Sequence, residues 1–280
     1  MGDTADGQSI AIIGLGLIGS SIGLALKRAA PRTRIVGLDR SPTSADTALR
    51  IGAVDRVTEH GSEAVQRSDV IIIATPIDTV VDVAGAIIPY VRDDAAVTDV
   101  GGTKERIVRE CEPLLGGRFV GGHPMAGSER SGPSAARPDM FRHAPWLLTP
   151  TPATQSWALD RITGLVATLG ARPSYISPAQ HDRLQARLSA LPHLLAFVLA
   201  AVGQQLDTNA AAHSGGSFRD ATRVARSSPD VWAAILADNG ANVVDALIDT
   251  EARLRSIREA LNARNIDHVA ELLREGHTPS

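Results

Sequence analysis

Along the first half of the chain, short apolar runs rich in β-branched residues alternate with longer segments whose apolar positions recur every three to four residues. The short runs predict strands at Ile10–Gly14, Arg34–Asp39, Asp69–Thr75, Ala95–Val100 and Arg118–Gly121, with a last one around Trp146–Thr149. The periodic segments predict helices over Leu17–Ala29, Thr43–Ile51, Ile77–Ile88 and Thr103–Leu115. Strand and helix in strict alternation imply a parallel sheet built from βαβ units. Near Pro150 and Pro152 the pattern changes, and helical segments follow at Gln155–Leu169, Pro178–Gln205, Pro229–Asn239, Ala241–Asn262 and Ile266–Arg274. Pro192 lies inside the second of these, where its missing amide donor should kink the helix. The stretch 209–217, rich in alanine and glycine, reads as a loop. The expectation is an α/β domain over residues 1–152 and an all-α domain over 153–280.

Composition narrows the function classes. With 280 residues, 44% of them hydrophobic, the chain can bury a sizeable core. A net charge of −3 without a basic stripe argues against a nucleic-acid partner. Cys111 is the only cysteine, which excludes an internal disulfide and a thiolate metal cluster and suits a reducing, cytoplasmic setting. Met1–Gln8 shows no secretory pattern, and the longest apolar stretch, Leu191–Val202, is too short to span a bilayer, so no membrane role is expected. No metal-ligating spacing is visible, and Lys27 and Lys104 are the only lysines.

Directly after the first strand comes Gly14-Leu15-Gly16-Leu17-Ile18-Gly19, a G-x-G-x-x-G turn opening a helix. Bare amides and the helix dipole can meet a pyrophosphate there, which makes the first domain Rossmann-like. An acid, Asp39, ends the next strand, where it can accept ribose hydroxyls and repel an extra phosphate; the cofactor expected is NAD rather than NADP. Arg40 beside it could stack on adenine, receive a phosphate, or simply be solvated. Thr75 and Pro76 close the third long strand on the same edge, beside the nicotinamide ribose by the switch-point rule.

The segment Gly121-Gly122-His123-Pro124-Met125-Ala126-Gly127-Ser128 puts a histidine just past a strand on that edge. Together with Thr98-Asp99-Val100-Gly101-Gly102-Thr103-Lys104, Trp146-Leu147-Leu148-Thr149-Pro150, His181-Asp182, Leu191-Pro192-His193 and Phe218-Arg219-Asp220-Ala221-Thr222-Arg223, its order resembles the prephenate/arogenate dehydrogenases over nearly the whole chain. The resemblance implies a Rossmann-like domain followed by a helical domain through which two chains form a homodimer. It implies oxidation and decarboxylation of prephenate to 4-hydroxyphenylpyruvate in tyrosine biosynthesis, with arogenate or an amino-substituted analogue as the alternative substrate.

On that resemblance His123 matches the histidine that accepts the ring hydroxyl proton while hydride leaves for the nicotinamide. Arg223 matches the guanidinium that grips a substrate carboxylate, and Arg219 one turn earlier either assists or is a surface charge. His193 matches a pocket histidine, and Ser128 either offers a hydroxyl to the substrate or forms a turn. His181-Asp182 reads as structural, with an oriented pair as the alternative, and Trp232 as packing. Two departures stand out: Gly102 where the family often has serine, and Ala190 where it often has histidine. Both remove polar groups from the expected substrate side and predict loose selectivity. Two rivals lack support in these residues. A β-hydroxyacid dehydrogenase would need a lysine in the helical half, and a non-catalytic NAD-binding protein would need neither His123 nor Arg223.

Overall fold

The structure, a computed structural model, describes residues 7–128, 130–206, 213 and 215–277. Eight strands form one sheet: β1 (Ser9–Ile13), β2 (Arg34–Leu38), β3 (Arg56–Val57), β4 (Val70–Ile73), β5 (Ala96–Asp99), β6 (Phe119–Pro124), β7 (Pro145–Thr149) and β8 (Arg172–Tyr175). Their order is β3-β2-β1-β4-β5-β6-β7-β8. All neighbours are parallel except β6 and β7, which run antiparallel with His123 opposite Leu147. β4 is buried throughout and β1 nearly so, as expected of strands covered on both faces, which explains their unbroken Val/Ile runs.

Helices cover both faces. On one side α1 (Leu17–Ala29), α2 (Pro42–Arg50) and α6 (Ser156–Thr168) lie over a core that includes Ile12, Ile22, Ile35, Ile162 and Trp146. On the other, α3 (Gly61–Val65), α4 (Val80–Ile87) and α5 (Glu105–Leu115) enclose Ile71, Ile73, Val97, Ile107 and Cys111. α2 begins as its sequence dictates, with Pro42 at the first turn and the Ser41 hydroxyl accepting the Ser44 amide.

The strand signal ends later than the sequence suggested. α6 and β8 lie past the expected division at 152/153 yet belong to the sheet layer, β8 pairing in parallel with β7 and α6 burying Ala158, Ile162, Leu165 and Val166 beneath it. β8 reads Arg-Pro-Ser-Tyr, and a proline in a four-residue edge strand erases the usual strand signature. β3, only two residues long, was equally silent.

From Pro178 the chain is helical: α7 (Pro178–Gln185), a π-helical turn (Ala186–Ala190), α8 (Leu191–Leu206), α9 (Gly216–Ala221), a 3-10 turn (Arg223–Arg226), α10 (Pro229–Asp238), α11 (Gly240–Asn262) and α12 (Ile266–Glu275). The π turn stands immediately before Leu191-Pro192, so the disturbance expected from the proline takes the form of a widened turn. Of the stretch expected to be a loop, residues 209–212 and 214 lie outside the described residues, while Gly216 already opens α9. The continuous helical run Pro178–Gln205 is long and apolar enough by length and composition to cross a membrane, contrary to the estimate from its apolar stretch alone. Only 17% of its most apolar window is buried within the chain.

Candidate active site

Gly14 ends β1 with φ +98, the left-handed region that favours glycine. A Cβ there would meet the Ala74 carbonyl oxygen at 2.4 Å, so the turn lies hard against the end of β4. Gly19 lies as close: a Cβ on it would come within 1.9 Å of the Gly14 oxygen. Gly16 differs, because its backbone is extended and open space surrounds the position of a Cβ. Neither conformation nor packing within the chain demands glycine there, whereas a pyrophosphate lying over the turn would. Gly16 caps α1 without a side-chain hydrogen bond, and the amides of Leu17, Ile18 and Gly19 in the first turn have no carbonyl partner within the helix. The buried Thr75 Oγ1, at the adjoining strand end, is also without a partner. These features fit a dinucleotide.

Asp39 organises the rim of this cradle. Its carboxylate accepts the Leu15 amide at 2.7 Å and the Ser41 amide at 2.8 Å, which fixes it at the end of β2. Leu15 thus contributes a buried side chain and an amide already engaged, while Arg40 and Pro76 are exposed beside the rim.

His123 near the end of β6 is the centre of a second constellation. Its Nδ1 lies 2.9 Å from Nε2 of His181, whose Nδ1 lies 2.7 Å from Asp182 Oδ1. His181 and Asp182, near the middle of α7, are buried. The Asp182 carboxylate accepts the amides of Lys104 at 2.7 Å and Glu105 at 2.8 Å, capping α5 from a distant part of the chain. Beside them the fully buried Lys104 ammonium is paired with Asp99, whose carboxylate also accepts the Gly101 and Gly122 amides. Burial pushes His123 well below the ordinary imidazole range, and His181 and the Lys104 charge push it the same way. His181 is also lowered, chiefly by burial, against the pull of Asp182. Both rings are neutral near pH 7.

The helical half closes over this edge. An ideal Cβ on Gly102 would lie 4.0 Å from His123 Nε2 and 3.8 Å from Ile235 Cδ1 of α10. One turn earlier on α10, Trp232 stacks on His193 of α8 with ring centroids 3.8 Å apart. His193 Nδ1 donates to the Ser189 carbonyl at 2.9 Å. Burial lowers His193 against the opposing Ser189 hydrogen bond, and the Arg223 charge lowers it further. Arg223 is exposed at the start of its 3-10 turn. The α10–α11 corner is tied to the sheet side through Asp238, which pairs with Arg106 and accepts from Thr103, and through Asn239, which donates to the Asp182 carbonyl.

The structure therefore brings Gly102 and Ile235 beside His123, with Trp232 one turn earlier on α10 stacked on His193, and sets Gly14–Gly19, Asp39 and Thr75 along the neighbouring strand ends. The exposed Ser128 hydroxyl accepts the Arg130 amide in a turn. Ala190 is 2% exposed and packs in a small cluster with Ala186 and Val243, against which Trp232 also lies. His181-Asp182 is more than scaffolding, because it contacts His123 directly. The dipeptide itself was the visible signal; its partner 58 residues earlier was not.

A doubly covered sheet with a glycine cradle at its switch point and a half-buried neutral histidine at the same edge defines a dinucleotide-dependent dehydrogenase. Comparison with known proteins makes this specific. The family model described as the prephenate dehydrogenase nucleotide-binding domain matches residues 22–175, and that of the prephenate dehydrogenase dimerization domain matches 177–275. The chain belongs to the prephenate dehydrogenase family. It is 34% identical to prephenate dehydrogenase of Bacillus subtilis over 94% of this chain and 72% of that one. It is 33% identical to cyclohexadienyl dehydrogenase of Zymomonas mobilis, covering 96% and 93%. Among solved structures, A. aeolicus prephenate dehydrogenase with hydroxyphenyl propionate and NAD+ superimposes with a TM-score of 0.89 at 31% identity, covering 96% of this chain and 95% of that one.

Proposed function

We propose that this chain is an NAD-dependent prephenate dehydrogenase of tyrosine biosynthesis, oxidising and decarboxylating prephenate to 4-hydroxyphenylpyruvate. The observation that carries the reading is His123: a neutral imidazole at the reacting edge of the sheet, with Nδ1 engaged by His181 and Nε2 turned toward Gly102 and the α10 wall. Bound NAD supplies the hydride acceptor. Gly14, Gly16 and Gly19 with the amides of Leu17 and Ile18 would hold its pyrophosphate, Asp39 its adenosine ribose with Arg40 outside it, and Thr75 and Pro76 would border the nicotinamide end.

His123 Nε2 takes the proton of the ring hydroxyl as hydride leaves the same carbon. Loss of the ring carboxylate as carbon dioxide leaves its electron pair in the ring, and His123 returns the proton to the phenolate oxygen. The histidine is thus restored within each turnover. Arg223 holds a substrate carboxylate, and His193, stacked on Trp232, lines the same pocket. Ser128 is assigned to its turn.

The sheet layer and the helical layer divide near Ile176, between the two matched family regions. The apolar outer surface of the π turn, α8 and α11, where Leu188 is 67% and Val198 and Ile248 each 57% exposed, is covered by a second copy of the chain. The setting is cytoplasmic, in keeping with a lone, free Cys111. Initial rates of nicotinamide reduction with prephenate and arogenate, each with NAD and NADP, test the proposal. NADH and carbon dioxide formed in equal amounts from prephenate are expected; no turnover of either cyclohexadienol would overturn it.

A further inference from the structure

His123 can act as a base only if the nitrogen facing the cleft carries a lone pair, and a neutral imidazole places its one hydrogen on either nitrogen. The contacts around it decide which. Both Asp182 oxygens receive backbone amide hydrogens at the start of α5, a place that favours a negative carboxylate. Asp182 is therefore an acceptor, and the hydrogen in its 2.7 Å contact with His181 belongs to Nδ1 of His181. Because His181 is neutral, its Nε2 is then bare. A bare Nε2 at 2.9 Å from His123 Nδ1 requires the hydrogen of that contact to sit on His123.

We infer that Asp182 and His181 are positioning residues that act in series to lock His123 in the Nδ1–H form, with its Nε2 lone pair turned toward the cleft. The two residues touch no substrate. They set direction: a chain of hydrogen bonds that starts at the N-terminus of α5, runs through Asp182 and His181, and ends at the base. The alternative order, with hydrogens pointing the other way, would leave His181 Nδ1 and Asp182 Oδ1 as two facing acceptors. A cationic His181 donating at both ends is disfavoured by its burial and by the neighbouring Lys104 ammonium. The T-shaped approach of the two rings, with centroids 5.1 Å apart, suits an in-plane N–H of one directed at the in-plane lone pair of the other.

The inference rests on the proposed role of His123, but its test reads the hydrogen without turnover. In the long-range ¹H–¹⁵N correlation spectrum of the full chain at neutral pH, the His123 signals, assigned by their loss in His123→Asn, should show a protonated Nδ1 and a bare Nε2. A protonated Nε2, or a cationic ring, would overturn the relay even if prephenate is oxidised normally. Conversely, the expected spectrum without turnover of any cyclohexadienol would uphold the relay and refute the proposed function. Asp182→Ala adds a functional readout. Without the carboxylate nothing holds the hydrogen of His181 on Nδ1, and His123 is free to carry its own hydrogen on Nε2. The turnover number should fall on the order of 10²–10⁴-fold while KM for prephenate and Kd for NAD stay within about twofold. A folded variant with wild-type turnover would overturn the relay; should the variant not fold, the wild-type spectrum decides alone.

Discussion

The glycines of the cofactor turn differ in what requires them, and substitution by alanine should separate the two requirements. At Gly19 a Cβ would sit 1.9 Å from the Gly14 carbonyl oxygen, backbone against backbone. About 1 Å of displacement is needed to relieve this, which places the cost at ~2–3 kcal/mol and the loss in thermal midpoint at ~5–10 °C. At Gly16 the added methyl meets nothing, and the extended backbone there suits alanine. Replacing a glycine N-cap by alanine costs about 0.5–1 kcal/mol, and the stiffer unfolded chain returns about as much, so the midpoint should move by less than ~2 °C. That methyl occupies the space assigned to the pyrophosphate, so Gly16→Ala should weaken NAD binding at least tenfold, or ~1.4 kcal/mol. Thermal melts without cofactor and calorimetric NAD titrations of both variants give the comparison. If Gly16→Ala binds NAD within twofold of wild type, the pyrophosphate does not cross Gly16. If it melts as early as Gly19→Ala, the open space is not open.

Other residues give sharper contrasts still. Arg223→Ala should raise KM for prephenate by the equivalent of about 1.5–3 kcal/mol with little change in turnover, and an unchanged KM would move the anchor elsewhere, Arg219 being the next candidate. Gly102→Ser places a hydroxyl beside His123 Nε2, at the ring-hydroxyl end that prephenate and arogenate share; kcat/KM should rise roughly 2–10-fold for both, and a changed ratio between them would refute this placement. Ala190→His should instead cost about 1–3 kcal/mol of stability by overpacking, seen as a lower thermal midpoint, and leave that ratio alone. The low pKa values of His123 and His181 also make stability depend on pH. The unfolded chain binds protons from about pH 6.5 downward and the folded chain resists them, so stability is full above that value and is lost as pH falls through it toward the folded values. Thermal midpoints between pH 7.5 and 5 should decline accordingly, less steeply in His123→Asn; a flat profile would refute the burial argument.

Much of this was legible in the residues because local rules and the tertiary outcome agree. Gly14–Gly19 between a strand and a helix, an acid at the end of β2, and a histidine near the end of β6 are each set by the chain's immediate neighbourhood. Pairings between distant segments were not legible. Nothing near His181 announces His123, and the start of α5 is capped by Asp182, 78 residues beyond Lys104. β8 was lost to its proline. Ser128 shows the limit of motif reading, because a hydroxyl that closes a turn and one that meets a ligand look the same in sequence.

The scarcity of lysine gives the protein an unplanned reporter. Of its two lysine amines, Lys27 lies near the surface beside Asp55, whereas Lys104 is sealed with Asp99 beneath the catalytic edge. An amine-reactive ester should therefore acylate Lys27 at once and Lys104 only when that corner opens transiently. The rate of mass gain on the peptide carrying Lys104 measures how often the hydrogen-bonded scaffold beneath His123 comes apart. Ligands that clamp the site should slow it, which offers a chemical clock for closure in a protein whose His123 gives no optical signal of its own.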